Sequence, residues 1–258
     1  MSDTMPTCGT ADSILERLPS GRPTPQQFAW QDLELGVFVH FGLYAVTGRF
    51  TGITWIPEGA NPLYCSSLEP EDPGLFNPVE FDAQQWVSPA QAGGARYLML
   101  TAKHHDGFCL WPTKTTPHSV QASPWRGGRG DLVGETAEAC RAAGLRFGIY
   151  LSPWDAYAWK TLGLSDAEYD QYYMRQLTEL LTSYGEVTEV WWDGAGSKHR
   201  RHDWRAYYRL IKSLQPGAVI MGAGCSDVRW IWEVPEEQGL GLDPVSYTHL
   251  TLPTSDLV

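Results

Sequence analysis

The chain has 258 residues, 43% of them hydrophobic, and 19 basic against 30 acidic residues give a net charge of −11. That balance excludes a nucleic-acid partner, which needs clustered Lys and Arg against phosphate. No apolar run is long enough to span a bilayer, which excludes a membrane-crossing helix. The length suits one large domain. Cys8, Cys65, Cys109, Cys140 and Cys225 show no paired spacing and read as reduced thiols. The first twenty residues carry no basic stretch followed by an apolar one, so the expected location is cytoplasmic.

In chain order, residues 1–24 read as a loose polar arm with one short helix. Residues 35–42, "LGVFVHFG", form a short apolar run closed by glycine, a buried strand. A long Gly- and Pro-rich loop is expected over 43–80. Residues 82–94 have apolar side chains at helical spacing, with Asp82 as N-cap. A strand follows at 96–103, then an amphipathic helix at 130–144 ending on Gly144, and a third strand at 145–153. The spacing predicts a long helix over 165–185, opened by a capping box of Ser165 and Glu168. A fourth strand is expected at 188–194, a solvated basic loop "KHRRH" at 198–202, and a helix at 203–217. A fifth strand follows at 218–224 and a sixth at 228–233.

Strands and helices alternate, and the strands are continuous apolar runs, the mark of parallel strands covered on both faces. Polar or aromatic groups close nearly every strand: His40, His104 to Asp106, Trp154 and Asp155, Asp193, and the acids at 233–237. In a barrel those ends converge on one mouth. A doubly wound sheet would gather its site at one switch point and usually show a Gly-rich phosphate turn, and none follows a strand here. The expected fold class is α/β, a (β/α)8-like TIM barrel. It is incomplete, since about six strands are visible where a closed barrel has eight. "VSYTHLTLPT" at 245–254 lacks helical periodicity and looks like a translated sequencing adapter. The division is therefore an arm at 1–24, a truncated barrel at 25–243 and a non-native tail at 244–258. Such a chain is expected to be poorly soluble, because it leaves strand edges unpaired.

Two stretches carry the chemistry. "KHHDGFCLW" puts His104, His105 and Asp106 at the end of a strand. Adjacent histidines on extended chain point to opposite faces and chelate one ion poorly, although a metal-dependent hydrolase built on these residues is a possible reading. "EVWWDG" closes an aromatic strand with Asp193, either a helix cap or a carboxylate exposed at the mouth. The twelve tryptophans and twelve tyrosines fill core and also suit stacking on the apolar faces of sugar rings.

Together "FVHFG", "FDAQQW", "LTAKHHDGFCLWPTKTTPHSV", "LRFGIYLSPWD" and "EVTEVWWDG" resemble the α-L-fucosidases of glycoside hydrolase family 29, in family order from Trp30 to Arg229. "HFG", "HSV" and "LSPWD" are similar to the subfamily acting on α-1,3/1,4-linked fucose. The resemblance implies a retaining double displacement without metal or other cofactor. It implies that Asp193 is the nucleophile and that His40, His104 and His105 contact the fucose hydroxyls. Trp55, Trp154 and Trp191 join them in the substrate pocket. The implied partner is a fucosylated oligosaccharide or glycoconjugate. Retaining glycosidases pair the nucleophile with an acid/base carboxyl ~5 Å away. Here "RWIWEVPEEQGLG" offers Glu237, which keeps the following x-Gly, then Glu233, which keeps the spacing, with Glu236 beside them. The family usually has Glu before the pocket tryptophan, and this chain has Thr54, with Glu58 a substitute. That departure leaves a non-catalytic fucose-binding barrel as the alternative.

Overall fold

The computed structural model of the chain describes residues 23–47, 70–192, 200–222 and 224–229. Its strands are β1 (Gly36–Val39), β2 (Tyr97–Lys103), β3 (Arg146–Leu151), β4 (Glu189–Trp192), β5 (Val219–Gly222) and β6 (Val228–Arg229). They form one six-stranded sheet in chain order, every neighbouring pair parallel. That order decides between the two architectures left open by the alternation. A doubly wound sheet reverses its strand order at a switch point, and this sheet does not reverse. It is the sheet of an incomplete TIM-type barrel, in which β1 and β6 are the outer strands among the described residues.

The helices are α1 (Pro25–Gln31), α2 (Leu43–Thr47), α3 (Gln84–Ala92), α4 (Leu132–Ala142), α5 (Ala156–Lys160), α6 (Asp166–Ser183) and α7 (Trp204–Leu214). The expected long helix starts where the capping box places it: Ser165 accepts from the Glu168 N–H, and the Glu168 side chain reaches back. Asp131 and Asp203 cap α4 and α7 by accepting from the Gly134 and Ala206 N–H groups. Asp82 accepts from the Gln84 N–H at 2.9 Å, but the cap position itself is Ala83, with no side-chain bond. Three helices were not expected: α1, although Thr24 and Gln27 make a capping box there, and two shorter ones. α2 and α5 have five residues each, too few for a repeat of the apolar pattern. The loop expected over 43–80 thus begins with a helix, and it also holds a 3-10 turn at Pro73–Leu75.

Successive side chains on a strand face opposite ways. Leu98, Leu100 and Ala102 of β2, Phe147, Ile149 and Leu151 of β3, and Val190 and Trp192 of β4 join the helices in one buried cluster. The other face carries Phe38, Met99, Tyr150 and Trp191, with Phe38 and Trp191 ring centroids 4.7 Å apart. Glycine makes room there, since a Cβ on Gly148 would stand 2.3 Å from the Met99 sulfur. The alternation is interrupted once. The register between β2 and β3 slips between Thr101 and Lys103, so Lys103 pairs with Leu151 and its side chain turns to the helix side.

Two expectations are corrected. Arg200 is not solvated. It is 8% exposed, donates to the carbonyls of Leu164 and Ser165 at 3.0 Å, and lies 4.3 Å from the centre of the Tyr169 ring. A guanidinium supplies enough donors to be buried once backbone carbonyls receive them. The cysteines are not all reduced. Cys109 and Cys140 are free and buried, whereas Cys225 is disulfide-bonded. Pairing between cysteines distant in sequence is set by the fold and leaves no spacing signature.

At the opposite end of the sheet from the strand exits, Glu189 is buried, 1% exposed, and accepts from Trp30 Nε1 of α1 at 2.7 Å and from the Tyr97 hydroxyl. Burial pushes its carboxyl up to about 7, against the opposing pull of those two donors. A raised carboxyl favours the folded state below its unfolded value, and that contribution is lost as pH rises through the folded value. Glu189→Gln should therefore change stability little at pH 4 and raise it at pH 8, by roughly 2–3 kcal/mol relative to the parent. Urea unfolding at the two pH values measures this, and a difference that does not grow with pH would contradict it.

Candidate active site

The carboxyl ends of β1, β2 and β3 bring together the first predicted group. His40 follows β1 and is exposed, His104 follows β2 and is half-buried, and His105 is buried. The His40 and His104 rings lie 5.7 Å apart edge-on, and His104 and His105 4.1 Å apart. Phe38 stacks under His40 at 4.2 Å, and Tyr150 stacks on His104 at 5.6 Å with planes 20° apart. Tyr44 approaches His104 from α2 at 5.2 Å.

Hydroxyl groups on the inner face set the ring orientations. Thr101 Oγ1 lies 2.9 Å from His40 Nδ1 and donates to the Val39 carbonyl at 3.3 Å. Ser152 Oγ lies 2.7 Å from His105 Nδ1. Burial lowers His40, helped by the neighbouring His105, and holds His104 well below the ordinary imidazole value, helped by His105 and His40. His40 keeps an open edge to solvent, whereas the more enclosed His104 is a neutral ring at pH 7 with one donor and one acceptor nitrogen.

Asp106 has a different place. It is 6% exposed, and its Oδ1 accepts from the Phe108 N–H at 3.1 Å. Burial raises its carboxyl to about 7; Asp155 and Glu71 add to the rise, while Lys103 and the Phe108 N–H oppose it. Its adjacent Gly107 is required on two counts. Its φ is +85°, and a Cβ would stand 2.2 Å from Asp155 Oδ1. Beyond the turn, Glu179 of α6 accepts from Trp111 Nε1 at 2.9 Å, Thr113 Oγ1 at 2.6 Å and the Lys114 N–H at 2.9 Å, fixing the "WPTK" segment. Among the described residues no three His, Cys, Asp or Glu side chains are grouped to hold a metal ion.

Of the other predicted residues, Trp191 is half-buried on the inner face, 4.7 Å from Phe38 and 6.4 Å from Tyr150. Trp154 is 1% exposed and packs on Trp159 at 4.9 Å. Trp55, Asp193, Glu233, Glu236 and Glu237 lie outside the described residues, as do Thr54 and Glu58. The sequence reading missed Thr101 and Ser152. Each is a hydroxyl in or just after an otherwise apolar strand, and a buried polar group needs a partner, but nothing local says that the partner is a histidine ring.

Imidazoles backed by hydroxyls, set among aromatic rings, suit a ligand with both hydroxyl groups and apolar faces, and they lie at the strand ends where α/β barrel enzymes keep their sites. The comparisons narrow the class. The sequence profile of the alpha-L-fucosidases matches residues 15–229, and the chain belongs to that family. It is 44% identical over 215 residues to alpha-L-fucosidase 1 of Arabidopsis thaliana, covering 81% of this chain and 38% of the relative. A Bacteroides ovatus structure with the provisional description alpha-L-fucosidase is 50% identical, with TM-score 0.68 over 81% of this chain and 34% of that one. A glycoside hydrolase 29 family member from an unknown rumen bacterium is 39% identical, with TM-score 0.65 over 81% and 38%. The chain thus spans well under half the length of these relatives.

The turn that carries the histidines depends on Gly107. Gly107→Ala should destabilise the fold by about 2–3 kcal/mol, through strain at positive φ and the clash with Asp155. Denaturant unfolding reads this directly, and an alanine variant as stable as the parent would show that the turn is not held as described.

Proposed function

We propose that the chain is the nucleophile-bearing part of a retaining α-L-fucosidase that releases terminal fucose from glycans, with α-1,3/1,4 linkages preferred. The observation that carries the proposal is the trio of His40, His104 and His105 at one end of the sheet, with the His104 ring held neutral among them. Neutral imidazoles exchange hydrogen bonds with hydroxyls in both directions, whereas imidazolium rings would only donate. The rings of Phe38, Tyr150 and Trp191 supply apolar surface for a sugar that carries a methyl group.

In the proposed reaction Asp193, the residue after the end of β4, attacks the anomeric carbon. The glycosidic bond breaks as the protonated Glu237, or Glu233 in its place, gives its proton to the leaving oxygen. Water then attacks the glycosyl ester while the same Glu takes its proton, releasing fucose with retention. Thr54, where the family has Glu, favours the second reading, a barrel that binds fucose without turning it over. Both readings are tested with the chain extended to the length of its relatives. Asp193→Gly is expected to lower aryl α-L-fucoside turnover by a factor on the order of 1,000 or more, with azide restoring part of the rate. Fucose binding with no turnover in the parent would establish the binding-only alternative, and an Asp193→Gly enzyme with unchanged turnover would remove Asp193 from the mechanism.

A further inference from the structure

We propose that Lys103 is a positioning residue for sugar recognition, aiming His104 and His105 through a buried pair with Asp155. The inference rests on the reading of those histidines as sugar contacts. The slip in β2 turns Lys103 away from the inner face, and its side chain has no exposure. Its Nζ donates to Asp155 Oδ2 at 2.8 Å and to Gln176 Oε1 at 2.9 Å. Tyr169, Tyr172 and Tyr173 of α6 surround it, ring centroids 5.4–5.8 Å away. Gln176 in turn donates from Nε2 to Thr115 at 3.1 Å, which orients its amide.

The pair joins the two segments that leave β2 and β3. The Lys103 carbonyl accepts from the Ser152 N–H at 3.0 Å, and the His105 carbonyl accepts from the Ala156 N–H at 2.8 Å. Between those anchors Ser152 Oγ meets His105 Nδ1. Asp155 also caps α5 through the Ala158 N–H and occupies the space that Gly107 leaves open. A buried ion pair is often replaceable by apolar side chains without loss of stability. What an apolar pair cannot reproduce is this directional tie beside the imidazoles.

The test joins Lys103→Met, which keeps an unbranched side chain, to Asp155→Asn, which keeps a capping side chain. Thermal melting, calorimetry with L-fucose, and NMR of the imidazole Hε1 signals are read on parent and variant chains extended to the length of the relatives. The double variant is expected to melt close to the parent. Its His104 and His105 signals should shift or broaden, and its fucose affinity should fall by a factor on the order of ten or more. A folded double variant with unmoved His104 and His105 signals would overturn the proposal. Should that variant fail to fold, Asp155→Asn alone carries the same readout. If the parent, extended to its relatives' length, binds no fucose, the functional reading fails, while the imidazole signals still decide whether Lys103 positions the two rings.

Discussion

An ammonium group shut off from water must find its hydrogen bonds inside the protein, and Lys103 finds them on Asp155 and Gln176. Three elements are constrained at once by that requirement. β2 must slip its register to turn the side chain outward, α6 must present Gln176 and its tyrosines, and the chain leaving β3 must bring Asp155 across. The turn bearing His104, His105 and Asp106 lies between them, and it closes only because residue 107 has no Cβ. One ion pair therefore links the strand register, the helix packing and the sheet's polar edge.

On the inner face a second constraint operates. His104 and His105 sit against each other and against Tyr150 and Tyr44, and the burial that results pushes His104 toward the neutral form. Burial also raises the Asp106 and Glu189 carboxyls to about 7. Two polar layers result, one at each end of the sheet. Glu189, bonded to Trp30, ties α1 to the start of β4, while the histidines, with Thr101 and Ser152, occupy the strand exits. Aromatic rings fill the space between: Phe38, Tyr150 and Trp191.

The strands were legible because each is a short apolar run with a polar terminus, and the long helix because Ser165 and Glu168 make a capping box. The alternation of strands and helices alone fits an open sheet as well as a barrel; the polar groups closing nearly every strand pointed to the barrel, and the unreversed order of the six strands agrees with it. His40, His104 and His105 could be picked out as a group because strand ends converge in a barrel. Their supports could not. Thr101 and Ser152 look like ordinary strand residues, and Lys103 reads as facing the same way as Thr101 until the register slip is seen. Glu179 lies 66 residues from the Thr113 that it holds, and no local pattern marks that contact. Arg200 sits in a basic run that looks solvated, yet Leu164, Ser165 and Tyr169 receive it.

The central chemical claim is that a carboxylate at the end of β4 forms a covalent bond to the sugar. The most direct measurement is to treat the chain, extended to its relatives' length, with a 2-deoxy-2-fluoro-α-L-fucosyl donor and to map the adduct by peptide mass spectrometry. The account predicts one fluorofucosyl group, on the peptide containing Asp193 and on that side chain. A label on a different residue, or an unlabelled protein that still hydrolyses fucosides, would contradict it.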